Sequence, residues 1–267
     1  MKTIFITGAS AGLGKAVVKL FAGKGWKVIA TMRQPEKEQE LQQLENVTLL
    51  PLDVTDEQQI KTAVEKAIAP GEVDIVFNNA GYGLVGPLEA YTAEQIDRQL
   101  NTNLLGVISV TKAFIPYFRS RKSGLFITTT SIGGLAAFPF ASLYHASKWA
   151  LEGFSESLAY ELKAYGIGVK TVAPGGIATD FGSRSLAVAR HSDYDSKFEK
   201  MMSQMSQPTV FTLSTPESIA EVVYEAATDG KEQLRYLAGP DANAMYAQRQ
   251  EQGVEAFRKG IAAALLD

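Results

Sequence analysis

Tyr144-His145-Ala146-Ser147-Lys148 places a phenol and an ammonium four residues apart. On a helix those two side chains share a face. A cation beside a phenol favours the phenolate and pulls its pKa from about 10 towards neutrality. A phenol tuned in that way suits general acid–base work. Tyr-x-x-x-Lys alone is common on plain surface helices, so its neighbours decide what it means. Ser131 closes the apolar run Leu125–Thr130, thirteen residues before Tyr144. If that run is a strand of an open α/β sheet, its carboxyl end faces the ligand crevice. Ser131 can then donate to a substrate oxygen beside Tyr144. The amides of Asn78, Asn79 and Asn103 lie in equally apolar surroundings and need partners there.

A second constellation opens the chain. Thr7-Gly8-Ala9-Ser10-Ala11-Gly12-Leu13-Gly14 joins a short apolar run to an amphipathic stretch. Glycines permit a tight turn, and the following helix N-terminus offers unpaired N–H groups and its positive dipole end to an anion. The loop is neither Gly-x-Gly-x-x-Gly nor a nucleotide triphosphatase loop ending in Lys-Ser/Thr. Between a strand and a helix, it reads as a dinucleotide pyrophosphate cradle rather than an ordinary turn.

Thr31-Met32-Arg33 ends the second apolar run, near the expected adenosine ribose. An acidic residue there would bond a 2′-hydroxyl, whereas an arginine attracts a 2′-phosphate. Arg33 therefore favours NADP(H) over NAD(H). Asp53-Val54 follows the third run, and Asp53 also fits as a cap for the next helix.

These groups need a frame. Strand candidates are Thr3–Thr7, Lys27–Thr31, Val47–Leu50, Ile75–Asn78, Leu125–Thr130, Val169–Ala173 and Leu234–Ala238. Their nearly continuous apolar character marks strands buried on both faces. Between them lie helical patterns. Ile60, Ala63, Val64, Ala67 and Ile68 make one stripe within Asp56–Ala69. Thr55 with Gln58 and Thr92 with Gln95 can form capping boxes, Thr215-Pro216-Glu217 is a helix start, and Gly166 is a stop after Glu152–Tyr165. Further helices are expected over Ala93–Phe118 and Ser147–Tyr165. Alternating β and α units predict a single α/β domain spanning residues 1–267. Its doubly wound, mostly parallel sheet should have about seven strands.

Taken together, the phosphate loop, Asn78-Asn79-Ala80-Gly81, Asn103-Leu104-Leu105-Gly106, Ser131, Tyr144-x-x-x-Lys148 and Pro174-Gly175-Gly176-Ile177-Ala178-Thr179 resemble the short-chain dehydrogenase/reductase family in order and spacing, over about two thirds of the chain. The resemblance implies a Rossmann-like fold and a catalytic tetrad of Asn103, Ser131, Tyr144 and Lys148, with Asn103 positioning a water. It implies dinucleotide contacts from Gly8, Ser10, Gly12, Leu13 and Gly14, from Asp53 and Val54 at the adenine, and from Asn79, Ala80 and Gly81. Tyr144 and Lys148 would also touch the cofactor, and Pro174, Gly175, Ile177 and Thr179 would hold the nicotinamide. Some NADP members of the family carry a basic residue inside the phosphate loop. Here that place holds Ala11, so Arg33 carries the NADP preference alone.

Composition excludes several classes. The 267 residues contain no cysteine, which removes disulfides, thiolate zinc sites and a thiol nucleophile. His145 and His191 are the two histidines, too few for a His-rich metal site, and neither is expected to be catalytic. Charged residues are 21% with a net charge of −3, which does not suit nucleic acid. The first apolar run breaks at Gly8, too early for a signal peptide. The uncharged stretch Gly124–Ser147 has too many glycines and hydroxyls for a membrane span. A soluble, cytoplasmic enzyme is expected.

Phe181–Leu213 is polar and Met-rich with no obvious strand, and reads as a substrate-loop insertion closing as a lid. Leu84, Val85, Phe138, Phe140, Phe181, Met201, Met202 and Met205 suggest an adaptable apolar pocket for a small carbonyl or alcohol substrate. Apolar surface on Ala93–Phe118 and Ser147–Tyr165, the helices that pair between subunits in related proteins, predicts a homodimer or homotetramer. Two other readings use the same residues. One is a redox-assisted epimerase or dehydratase, which consumes no cofactor. The other is a non-catalytic dinucleotide sensor, which has no need of a complete tetrad.

Overall fold

A computed structural model describes residues 1–69, 71, 73–178, 186–207 and 212–267. Seven strands form one parallel sheet: β1 (Thr3–Ile6), β2 (Lys27–Met32), β3 (Val47–Pro51), β4 (Ile75–Asn78), β6 (Gly124–Thr129), β7 (Ile167–Pro174) and β9 (Arg235–Ala238). Their order is β3-β2-β1-β4-β6-β7-β9. The order reverses between β1 and β4, and ligands of doubly wound sheets bind at the carboxyl ends of such a switch point. The Gly8–Gly14 loop leaves β1 there, and Asn79 leaves β4.

The strands are apolar throughout because helices cover both faces. Ile4 and Ile6 point to the layer of α1 (Gly12–Gly23) and α7 (Pro216–Thr228), where they meet Val17, Phe21, Ala220 and Val223. Phe5 points oppositely, towards α2 (Glu57–Ile68), α4 (Gly106–Arg121) and α5 (Ser142–Lys163), and packs with Val64, Phe114 and Leu158. At about 25 cal/mol per Å² of apolar surface, such two-sided burial is the main stabilising contribution.

Several local expectations are corrected. The cap of α2 is Asp56, whose carboxylate accepts the Gln58 and Gln59 N–H groups. Thr55 instead donates to Asp53 at 2.7 Å, so no Thr55–Gln58 box forms, and Asp53 closes a turn rather than capping the helix. The Thr92–Gln95 box does form, at the start of α3 (Ala93–Leu100). The helix expected over Ala93–Phe118 is interrupted by a π turn, Asn101–Leu105, which separates α3 from α4. The helix bearing Tyr144 starts at Ser142, not Ser147, so Tyr144 and Lys148 both lie on it.

Two three-residue strands escaped the sequence reading. β5 (Gly83–Val85) pairs in parallel with β8 (Leu186–Val188). β8 therefore gives the late insertion a strand. Beyond it, α6 (Asp195–Met205) packs Phe198 and Met201 against Leu265 of α9 (Val254–Leu265), itself joined through Gly253 to α8 (Pro240–Gln252).

Candidate active site

The phosphate loop is shaped for close backbone approach. Gly8 has φ +68°, and a Cβ on it would lie 2.7 Å from Ala80 Cα. A Cβ on Gly14 would lie 2.2 Å from the Gly8 carbonyl oxygen. Gly12 also takes a positive φ. Ala11 caps α1 without any side-chain hydrogen bond, and the first turn has no acidic residue. The leading N–H groups of α1 thus lack a side-chain partner and suit an anion. Ser10 is exposed beside them, while Leu13 is buried as an anchor.

A continuous chain of hydrogen bonds runs from this loop to Lys148. The Thr7 hydroxyl accepts the Asn79 and Ala80 N–H groups, each at 3.0 Å. Asn79 Nδ2 donates to the Thr7 and Gly8 carbonyls at 3.2 Å, and its Oδ1 accepts from the Thr129 hydroxyl at 3.2 Å. The Thr129 carbonyl in turn accepts from Lys148 Nζ at 2.9 Å. Asn103 braces the same turn from the π segment. Its Nδ2 donates to Tyr82 O at 2.7 Å and its Oδ1 accepts Tyr82 N–H at 3.0 Å. Gly81 is close enough that a Cβ would meet Asn103 Oδ1 at 3.2 Å.

Ser131 stands two residues beyond β6. Its hydroxyl accepts Gly133 N–H at 2.9 Å and is hydrogen-bonded to the Tyr144 side chain. Gly133 and Gly134 make that approach possible. A Cβ on Gly133 would lie 2.9 Å from His145 Nδ1 and 3.2 Å from the Tyr144 ring, and one on Gly134 2.8 Å from Lys148 O. Lys148 Nζ sits 5.9 Å from the Tyr144 ring centroid.

The electrostatics differ from the expectation that Tyr144 titrates towards neutrality. Burial pushes the Tyr144 phenol up, with the Ser131 hydrogen bond opposing. Burial likewise pushes the Lys148 ammonium down to about 8, against the nearby Glu152 carboxylate. Both charged forms lose hydration, and that loss outweighs the Ser131 hydrogen bond at Tyr144 and the Glu152 charge at Lys148. Tyr144 is therefore protonated at neutral pH.

A family model for short chain dehydrogenase matches residues 2–187. The chain belongs to the short chain dehydrogenase family. It is 42% identical over 209 residues to an uncharacterized oxidoreductase of Schizosaccharomyces pombe, covering 78% of this chain and 88% of that protein. It is 38% identical over 199 residues to a 3-ketodihydrosphingosine reductase of Bacteroides thetaiotaomicron, covering 73% and 72%. Among solved structures, ElxO with NADP bound superimposes with a TM-score of 0.76 at 29% identity, over 92% of this chain and 99% of ElxO.

The remaining described candidate residues of this short chain dehydrogenase lie at or beyond the carboxyl ends of β2, β3 and β7. Arg33 is exposed at the exit of β2, without an ion-pair partner among the described residues. Val54 is buried against Gly106, where a Cβ would meet its Cγ2 at 2.8 Å. Pro174 ends β7, and Gly175 N–H continues the ladder to Ala238 O at 3.0 Å. Ile177 bridges to Ser214. Thr179, Phe181 and Gly182 lie outside the described residues.

The apolar pocket is corrected in part. Leu84 is buried with Tyr91 and Ala189, and Met201 in the core of the α6–α9 contact, so neither is free to line a cavity. Val85, Phe138, Phe140 and Met205 each pack against the cluster of Phe198, Met201 and Leu265. An open cavity of about 500 Å³ lies between the Gly86–Glu89 loop, Phe140, Ser142 and Tyr194, starting two residues from Tyr144. No helix among the described residues is long and apolar enough to cross a membrane.

His145, which is not expected to be catalytic, holds the site's shape. Its Nε2 accepts Phe138 N–H at 3.0 Å and its Nδ1 lies 2.7 Å from Gly133 O, so the neutral Nδ1–H tautomer ties both ends of the 133–138 loop. Burial lowers its pKa and keeps it neutral. Glu152, one turn beyond Lys148, was also missed. It is buried and accepts from Arg235 Nε at 2.8 Å. No local pattern marks such residues, because their partners are distant in sequence.

Proposed function

We propose that this chain is an NADP(H)-dependent oxidoreductase that interconverts an apolar ketone or aldehyde and the matching alcohol. The observation that carries the reading is the convergence of Ser131, Tyr144 and Lys148 at the carboxyl end of β6, linked through Asn79 to an uncapped, glycine-built anion cradle. Gly8, Ser10, Gly12, Leu13 and Gly14 would hold the pyrophosphate and Arg33 the 2′-phosphate. Asp53 and Val54 would border the adenine, and Asn79, Ala80, Gly81, Pro174, Gly175 and Ile177 the nicotinamide side, with Thr179 following in sequence. When bound, the dinucleotide supplies or accepts a hydride at the substrate carbon.

The chain's own groups handle the proton. A phenol that burial keeps protonated is ready to donate to the oxygen of a carbonyl under reduction. Ser131 hydrogen-bonds the same oxygen and helps carry its developing charge. The Lys148 ammonium favours the phenolate that Tyr144 becomes and would hold the nicotinamide ribose. Asn103, with its side chain committed to Tyr82, keeps the 79–82 turn in place. The apolar cavity beside Phe140 and the reductase named among the relatives support an apolar carbonyl substrate. Residues 181–213 are proposed as the substrate loop.

Cofactor choice gives the test. Arg33→Asp replaces attraction for a 2′-phosphate by repulsion. It should weaken NADPH binding by about tenfold or more and NADH far less, as read by equilibrium fluorescence titration. Equal changes for both would make Arg33 an ordinary surface residue. NADP in the bound ElxO structure supports the same preference.

The assembly is proposed to be a homodimer or homotetramer. Trp149 and Tyr160 of α5 stay 42% and 76% exposed, more than a helix covering a sheet needs to leave open. Light scattering at micromolar concentration should give at least twice the 28.9 kDa chain mass; a monomer would contradict it.

A further inference from the structure

The turn after β7 is clamped from a part of the chain beyond the family-matched residues 2–187. Gly176 N–H donates to Asp241 Oδ2 at 2.6 Å, and Ala242 N–H donates to Asp241 Oδ1 at 2.9 Å. Asp241 is 5% exposed. Two glycines make room for its carboxylate. A Cβ on Gly175 would lie 2.1 Å from Oδ1, and one on Gly239, at φ +100°, 2.9 Å from the same atom. The other side of the turn is held by Ser214, whose N–H donates to Gly176 O at 2.9 Å and whose carbonyl accepts Ala178 N–H at 2.8 Å. A buried carboxylate is costly unless it is hydrogen-bonded. Here backbone N–H groups supply charge-assisted bonds, which are short and strong. The turn it grips is the one that continues β7 into the crevice.

We propose that Asp241 is a positioning residue that fixes the Gly175–Ile177 turn for the dinucleotide, so that the start of α8 sets cofactor affinity. The proposal rests on the dinucleotide reading above. Without the clamp, Gly175 and Gly176 regain backbone freedom, which must be lost again on binding.

Asp241→Asn and Gly175→Ala test it, the first weakening the acceptor and the second driving a methyl group into the carboxylate. Two quantities are read. Equilibrium NADPH affinity by fluorescence should fall about tenfold, the effect of losing one charge-assisted bond. Hydrogen exchange at residues 175–178 in the ligand-free protein should accelerate, with exchange in β1 and β4 unchanged. A purely structural role would lower the melting temperature but leave affinity at low temperature and local exchange at parental values, and that result overturns the proposal. If both variants fail to fold, Asp241→Glu must show the same affinity loss, because its longer arm misplaces the acceptor; parental affinity there overturns the proposal too. A parent protein that binds neither NADPH nor NADH defeats the dinucleotide reading and this proposal together. A parent that binds, with variants that bind equally well, defeats this proposal alone.

Discussion

Tyr144→Phe is expected to lower turnover by about 10²- to 10⁴-fold, the usual contribution of a positioned general acid–base group, with NADPH binding retained. The substitution removes one hydroxyl. The ring keeps its place beside Gly133 and its edge-on contact with His145 at 5.8 Å. The loss falls on the atom that is hydrogen-bonded to Ser131. Single-turnover reduction of an apolar ketone at saturating NADPH reads the chemical step directly, and fluorescence titration reads affinity in the same samples. Near-parental turnover in the variant would remove Tyr144 from its proposed role. Lost NADPH binding would instead make cofactor binding, not proton transfer, the main role of its hydroxyl.

Asp229→Asn is expected to destabilise the fold by about 3–5 kcal/mol, the cost of leaving a buried charge without its partner. Lys170 Nζ, on β7, donates to Asp229 Oδ1 at 2.7 Å, Tyr236 Oη at 3.0 Å and the Ala226 carbonyl at 2.8 Å. Tyr236 donates to Asp229 Oδ2 at 2.5 Å. The two charged side chains are 7% and 9% exposed. Burial pushes the Asp229 carboxyl up, but hydrogen bonds from Lys170, Tyr236 and the Lys231 N–H outweigh it and hold the group at about 2. A depressed carboxyl contributes its stability above the unfolded value, near 3.9, and loses it as pH falls through about 2. Urea unfolding of the parent should therefore weaken between pH 4 and 2 partly through this group. The variant should be less stable at pH 7 and show a shallower acid loss. Equal stability at pH 7 would mean that the cluster adds nothing net.

The main sheet was legible because doubly wound strands are buried on both faces and read as unbroken apolar runs. Thr3–Thr7 and Ile75–Asn78 needed no partner information to be seen. β5 and β8 carry no such signal, since each is three residues long and its partner is about a hundred residues away. The π turn at Asn101–Leu105 was equally hidden, because α4 resumes directly after it and the apolar character runs on. In the site, Tyr144 and Lys148 were legible through their helical spacing and Gly8–Gly14 through its strand-loop-helix setting. What spacing cannot show is the dielectric around them. It put a cation next to a phenol but did not show that burial acts more strongly on both. Nor does a single aspartate or histidine announce that it will grip backbone N–H groups across the fold, as Asp241 and His145 do.

The central claim is hydride transfer between NADP(H) and a substrate carbon, with Tyr144 handling the proton. The most direct measurement follows deuterium from NADPH carrying deuterium at both nicotinamide C4 positions into the product of an apolar ketone, by mass spectrometry. The account predicts one deuterium per alcohol formed on the former carbonyl carbon, one NADPH consumed for each, and almost no product from Tyr144→Phe. Product formed without net NADPH consumption would point to epimerase or dehydratase chemistry. NADPH bound with no carbonyl in a broad apolar panel reduced would point to a sensor. Either result would contradict the account.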